Sequence, residues 1–311
     1  ICMPQGKYLP EGMLINTDTN KNYISGTAGL ARAAQEGTIL EATAVMCDAA
    51  HNLIVDVGGI RGVIPRKEAA LGIESGRVKD IAIISRVGKP VCIKVRGDRS
   101  GEYLLSRRAA QQEAHGHFME ELERGEVIKS IVTHIEPFGA FVDIGCGIVS
   151  LIGIENISVA RISHPGQRFV TGQAINAVVT GKDRESGRIN LSHRELLGTW
   201  QQNAAVFSTG QTAVGIVRGV EDYGVFVELR PNLSGLAERF EGVGPGDAVS
   251  VFIKSIRPDR MKIKLIIIDD LMRKGDGHIR KEDYYITSGR LDSWVYSPPG
   301  CHNRITSAFF G

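Results

Sequence analysis

Short apolar stretches separated by glycines and polar turns recur along the chain, and this pattern predicts a protein built mostly of β-strands. The clearest example is residues 136–158, EPFGAFVDIGCGIVSLIGIENIS. One apolar stretch leads to Gly145 and Gly147, and a second apolar stretch follows them. Because paired glycines between apolar runs are typical of a hairpin turn, we expect two adjacent strands here.

Two aromatic residues, Phe138 and Phe141, flank a Gly-Ala pair at the start of this segment. Side chains alternate along a strand, so rings three positions apart do not share a face of a regular strand. A bulge or bend at Gly139 would bring both rings onto one surface. Two interpretations follow from the chemistry alone: an exposed platform for stacking unpaired bases, or two rings that fill the core.

The same arrangement recurs at residues 222–238, DYGVFVELRPNLSGLAE, where Tyr223 and Phe226 enclose a Gly-Val pair. Each copy follows an apolar strand that begins at a glycine, Gly125 or Gly210. Each copy also precedes another apolar strand and a turn with basic residues. Self-similarity of this kind marks tandem domains, and five short strands in about 70 residues suit a small closed barrel.

The order and spacing of these motifs resemble the S1 RNA-binding repeat over residues 125–194 and 209–266, with a weaker copy that begins at Gly37. The resemblance implies an all-β fold of three tandem five-stranded barrels of the oligonucleotide-binding (OB) fold, joined by short α-helical linkers. We therefore expect this organisation: an N-terminal extension (1–36), a degenerate barrel (37–106), a linker helix (107–124), an RNA-binding barrel (125–194), a second linker helix (195–208), a second RNA-binding barrel (209–270) and a C-terminal β-hairpin tail (271–311).

Several local elements are predicted outside the barrels. We expect an added edge strand at residues 13–15 and a short helix at 28–35 that stops at Gly37. Ser106 is predicted to cap the first linker helix. Ser192 and Glu195 form a capping-box pattern for the second linker helix. In the tail, strands at 284–287 and 291–296 are expected around a Ser-Gly turn, after a polar loop that begins beyond 270.

The first repeat carries His51-Asn52-Leu53-Ile54 where the others carry rings, so it is expected to keep the barrel but lose the stacking platform. It either binds protein, such as the ribosome or a neighbouring domain, or serves only as a structural barrel.

Composition narrows the function classes. The net charge is +2 over 311 residues, which favours modest affinity for nucleic acid or help from a partner. No C-x-x-C pair occurs, so neither a zinc site nor a disulfide framework is indicated; metals and cofactors are not expected. No apolar run approaches a membrane span, and a cytoplasmic location is the default expectation. The five cysteines are scattered: Cys2, Cys47, Cys92, Cys146 and Cys301.

The resemblance also implies the site residues. Two aromatics, an Asp and an Arg form the binding face in the family, while the family's His position falls on Gly153 in one repeat and on Glu238 in the next. The predicted RNA-binding residues are Phe138, Phe141, Asp183 and Arg188, with Lys182 and Arg184 beside them, and Tyr223, Phe226, Arg230 and Lys262 in the last repeat.

The function implied by the resemblance is non-enzymatic binding of single-stranded RNA or mRNA, in translation at the small ribosomal subunit. An accessory RNA-binding protein of RNA decay or transcription is the alternative. A protein-interaction adaptor whose barrels no longer bind RNA is a third class, supported by the missing His. Phosphate-binding and nucleophile motifs of the common enzyme classes do not occur, and the acids are spread singly.

Overall fold

The computed structural model describes residues 5–99 and 101–310, so Cys2 lies outside the described residues. Three closed five-stranded barrels follow one another along the chain, as predicted. The first contains β1 (Leu40–Cys47), β2 (Leu53–Val57), β3 (Ile60–Ile64), β4 (Pro90–Arg99) and β5 (Glu102–Ser106), closed in the order β1-β2-β3-β5-β4. Three helices accompany it: α1 (Asp18–Ile24), α2 (Thr27–Glu36) and α3 (Ile81–Ile84).

The helix α4 (Arg107–Glu120) leads to the second barrel, and α5 (Trp200–Ala204) leads from the second barrel to the third. The second barrel contains β6 (Val127–Glu136), β7 (Gly139–Asp143), β8 (Val149–Gly153), β9 (Ala174–Asp183) and β10 (Arg188–Ser192), closed in the order β10-β8-β7-β6-β9. The third contains β11 (Thr212–Glu221), β12 (Gly224–Arg230), β13 (Leu233–Ala237), β14 (Asp247–Arg257) and β15 (Lys262–Lys274), closed in the order β11-β12-β13-β15-β14. The tail carries a hairpin of β16 (Ser293–Val295) and β17 (Thr306–Ala308).

The chain divides into two compact units. The first holds the described residues up to 122, with residues 129–131 and 143–149. In it, Glu11 accepts hydrogen bonds from the Arg107 guanidinium at 2.6 and 2.9 Å and anchors the N-terminal segment. The buried Asp143 carboxylate accepts from the Glu11 amide at 2.8 Å, and burial raises the pKa of Asp143 to about 7.

The second unit holds the rest of the second barrel, the third barrel and the tail. One continuous hydrophobic core joins them, and it contains Val178, Trp200, Val217 and Trp294. A buried charge cluster adds to this core: Glu228 of the third barrel accepts from Arg168 of the second barrel and from Arg218 at 3.0 and 3.1 Å.

Two predicted helix starts have different outcomes. Ser106 caps α4 as predicted, since its hydroxyl accepts from the Ala109 amide at 2.9 Å. The capping box at Ser192 is wrong. The Ser192 hydroxyl instead donates to the buried Glu195 carboxylate, which also accepts from Ser307 of the tail at 2.6 Å. Thr199 provides the capping box, and α5 begins after it.

Three strand predictions also need correction. Residues 13–15 form turns rather than an edge strand, while the predicted helix ending at Gly37 is present as α2. β15 runs to Lys274, past the predicted end of the repeat at 270. Residues 284–287 are not a strand, and the partner of residues 293–295 is 306–308.

Tyr284 explains the missing tail strand. Its hydroxyl donates to Nε2 of the buried His193 at 2.8 Å and accepts from the Asn176 amide at 3.2 Å. His193 Nδ1 donates to the Ile157 carbonyl at 2.9 Å, and burial lowers the pKa of His193 to about 4. Residue 284 is therefore held against the second barrel and is not available for a hairpin.

Candidate nucleic-acid interface

The second barrel presents two rings on one surface, at the turn that starts β7. The centroids of Phe138 and Phe141 are 6.1 Å apart, with the ring planes at 89°. Phe138 is 56% exposed and Phe141 is half-buried, so the interpretation in which both rings fill the core is wrong. A Cβ at Gly139 would lie 2.5 Å from the Ile152 carbonyl oxygen. The glycine thus permits the close approach that the sequence predicted.

The third barrel repeats this geometry. The centroids of Tyr223 and Phe226 are 6.0 Å apart at 89°, and Tyr223 is 69% exposed. Gly224 is required twice, because its φ of 152° is unfavourable for other residues and because a Cβ would lie 2.4 Å from the Ala237 carbonyl oxygen. We call each pair of rings, in either barrel, a ring pair.

Cross-strand pairing in the third barrel places a basic residue on the same outward row as its ring pair. Phe226 lies opposite Leu236, Leu236 opposite Lys264, and Lys264 opposite Ser255. The next residues inward, Ala237 and Leu265, are buried partners. Because side chains alternate, the row from Phe226 to Lys264 faces outward. Lys262, two positions before Lys264 and also exposed, faces the same way.

The second barrel has the same register with different residues. Asn190 lies opposite Leu151 and is exposed, while the next pair, Leu191 and Ile152, is buried. Asn190 therefore holds the position of Lys264 in the third barrel. Arg188, two positions before Asn190, holds the position of Lys262 and is also exposed.

The predicted charged residues of the β9–β10 turn are divided between two faces. Asp183 lies opposite Arg188, and its carboxylate accepts from the Ser186 hydroxyl at 2.5 Å and the Glu185 amide at 3.0 Å. The hydrogen bond from the Ser186 hydroxyl lowers the pKa of Asp183. Lys182 lies opposite the buried Ile189, on the other face of the pair from Arg188. Arg184 is exposed in the turn itself.

Arg230 is placed apart from the ring pair of its barrel. It ends β12, its guanidinium lies 3.7 Å from the Asp283 carboxylate, and it stacks 5.6 Å from the centre of the Tyr285 ring. It therefore holds the tail rather than bordering the rings. Lys262 remains the predicted basic residue of the third barrel that shares the outward face of Phe226.

One residue of the interface was missed by the sequence, His134 of β6. Its ring stacks on Phe141, with centroids 6.3 Å apart and planes at 25°, and its Nε2 lies 2.7 Å from Glu136 Oε1. The family's His position is Gly153 here, but a histidine reaches the rings from another strand. The pairing of the consecutive strands β6 and β7 reveals this contact, which the repeat pattern does not mark.

Glu238, which stands at the family's His position in the third barrel, has a basic neighbour. The Lys254 ammonium lies 3.9 Å from the Glu238 carboxylate on the outer surface of the third barrel. In the first barrel, the row equivalent to the ring-pair rows is aliphatic: Met46, Ile54, Val63 and Leu104 are successive cross-strand partners. The predicted loss of the platform in the first barrel is confirmed.

Known proteins resemble this chain in sequence. Residues 121–194 match the model of the S1 RNA binding domain. The chain is similar to small ribosomal subunit protein bS1 of three bacteria. This chain is 32% identical to the Leuconostoc lactis protein, over 68% of this chain and 52% of the relative. It is 29% identical to the Rhodopseudomonas palustris protein, over 71% of this chain and 39% of the relative. It is 28% identical to the Rhizobium meliloti protein, over 68% of this chain and 39% of the relative.

The chain thus spans about half the length of these relatives, or less. Within the described part of the chain, none of the helices combines the length and apolar character that crossing a bilayer requires. The barrels, the motifs and the relatives lead to one conclusion. The chain belongs to the family of proteins that carry S1 RNA-binding domains.

Proposed function

We propose that this protein binds single-stranded RNA through the ring pairs of its second and third barrels, without chemical conversion of the RNA. The observation that carries the proposal is the repetition of one geometry. Each of these two barrels has an edge-to-face ring pair with one well-exposed member, and an exposed Arg188 or Lys262 two strands away on the same outward face. Exposed rings stack on unpaired bases, and a nearby cation meets the phosphates.

The charge balance supports a single strand rather than a duplex as the ligand. A duplex is held mainly through its phosphates, which requires a strong basic surplus, and the net charge here is +2. Stacking needs bases that are free of their partners. On the second barrel, Phe138, Phe141 and His134 provide the stacking surface. Asp183 forms the turn that carries Arg188.

The proposed setting is translation, with mRNA as the ligand and the small ribosomal subunit as a partner, because the relatives are small-subunit proteins. This setting would be cytoplasmic. The aliphatic row of the first barrel suits a contact with protein. An accessory role in RNA decay or transcription is the alternative.

Titration of a fluorescein-labelled unstructured RNA of about 20 nucleotides, followed by anisotropy, tests this function. We expect saturable binding that weakens as salt is raised, and weaker binding to a duplex of the same length. RNA recovered after incubation should be intact. Absence of binding at physiological salt would leave the adaptor function instead. Co-sedimentation with ribosomes then separates the translational setting from the alternative.

A further inference from the structure

A second apolar pair lies on the outer surface of the third barrel, on β14 and β15. Phe252 of β14 lies directly opposite Ile266 of β15. Their inward neighbours, Ile253 and Leu265, are buried partners, so alternation places Phe252 and Ile266 outside. Ile266 is 39% exposed, and Phe252 is half-buried, as Phe226 is.

This pair continues the surface of the ring pair. Leu236 lies opposite Lys264, and Ile266 follows Lys264 by two positions, about 7 Å along the same face of β15. An outward surface therefore runs from Phe226 through Leu236 and Lys264 to Ile266 and Phe252, across four strands of the barrel.

The charges on this surface favour a polyanion near the Phe252–Ile266 pair but not in the row beyond it. Lys254 and Lys264 are exposed beside the Phe252–Ile266 pair, and Lys254 is shared with the Glu238 carboxylate, which lies 3.9 Å away. The next outward row consists of Val214, Ser250 and Asp269, so it ends in an acid. A phosphate backbone is attracted to the lysines and repelled beyond them, and this limits the favourable surface to the part that adjoins the ring pair.

The second barrel has no room for the same contact. Its equivalent cross-strand pair is Val178 and Ser192, and both are buried. Val178 belongs to the core that includes Trp200 of α5. This core thus fills a position in the second barrel that stays uncovered in the third barrel.

We propose that Phe252 and Ile266 form a second base-binding position on the third barrel, with Lys264 and Lys254 as phosphate contacts. This inference rests on the proposed function and lengthens its RNA site. The ligand is a single strand long enough to reach from the ring pair across β13 and β15 to β14. Bases on this path stack first on Tyr223 and Phe226, and a later base packs on Phe252.

The test uses the full chain in a Phe138→Ala background, which weakens the second barrel so that the third dominates. Ile266→Glu is compared with Val214→Glu. Both changes put a carboxylate at an exposed aliphatic position of the same barrel, but only the first lies beside the lysines. Affinities are measured for oligouridines of about 4 and about 12 nucleotides, a range that one barrel of this fold accommodates.

For the longer RNA, Ile266→Glu and Phe252→Ala should each weaken binding at least ~5-fold, while Val214→Glu changes it by less than ~2-fold. The shorter RNA, bound at the ring pair, should be affected little. Ile266→Glu carries the test if Phe252→Ala impairs folding, since the Ile266 side chain is exposed.

Equal affinities of Ile266→Glu and Val214→Glu for the longer RNA would overturn the inference. That result would leave contact with a protein as the role of this surface. Tyr223→Ala separates that failure from a failure of the proposed function. It should weaken binding of both RNAs, and if it does not, the ring pair itself is not the RNA site.

Discussion

Replacement of Phe138 by alanine removes the exposed ring of the second barrel with little expected damage to the fold. The ring is 56% exposed and makes an edge-to-face contact with Phe141. Such a contact contributes about 0.5–1.5 kcal/mol beyond the area buried. The variant should therefore keep its circular dichroism spectrum and lose at most a few degrees in melting temperature.

The expected effect on RNA is larger. Stacking of one base on one ring contributes about 1–3 kcal/mol, which corresponds to a ~5- to ~150-fold rise in Kd. The assay is anisotropy of a labelled RNA of about 20 nucleotides at constant salt. Phe138→Trp should bind nearly as well as the unmodified protein, because it restores a π-face.

The chain offers a matched control in Phe310. This tail residue is 47% exposed, and its ring lies 4.2 Å below the Arg290 guanidinium, so it is an exposed phenylalanine beside a cation. Phe310→Ala should leave RNA affinity unchanged. If Phe138→Ala is folded and binds within about 2-fold of the unmodified protein, stacking at this ring is refuted.

Three further outcomes follow from the structure. Arg188→Gln should reduce the slope of log K against log salt by about 0.7, since one phosphate contact to a single strand is lost; an unchanged slope would remove Arg188 from the interface. Glu228→Gln should lower the free energy of unfolding in urea by about 3–5 kcal/mol, because Arg168 and Arg218 lose the carboxylate that they share in a buried cluster, and a loss below about 1 kcal/mol would contradict that role. The His193 pKa, about 4 when folded against 6.5 when unfolded, gives stability that is present above pH 6.5 and lost as the pH falls towards 4. Between pH 7 and pH 5 this loss is about 2 kcal/mol, and His193→Gln should abolish it. Asp143, with a pKa raised to about 7, changes the stability in the opposite direction over this pH range. The quantity to measure is therefore the difference in unfolding free energy between the unmodified protein and His193→Gln at each pH. Identical pH dependences of the two proteins would contradict the lowered pKa of His193.

The barrels and ring pairs were predictable because their signals are local. A glycine beside an aromatic, repeated at a matching position, indicates both the close backbone approach at Gly139 and the exposed ring at Phe138. Arg188 and Lys262 were found in the same way, through their place in the repeat. Their contact with RNA stays a prediction.

The remaining features depend on strand pairing or on contacts between distant parts of the chain. His134 and Phe141 meet only through strand pairing. The capping box at Ser192 failed because the tail supplies Ser307 to the same carboxylate. The tail strand at 284–287 failed because Tyr284 is held by His193 of the second barrel. Local patterns do not report competition of this kind.

Photo-crosslinking tests the central claim most directly. A single-stranded RNA that carries 4-thiouridine is irradiated with the full chain, and the crosslinked peptides are identified by mass spectrometry. The account predicts crosslinks at the ring pairs, in the peptides that contain Phe138 and Phe141 and those that contain Tyr223 and Phe226. Crosslinks confined to the first barrel or the tail, with none at either ring pair, would contradict it.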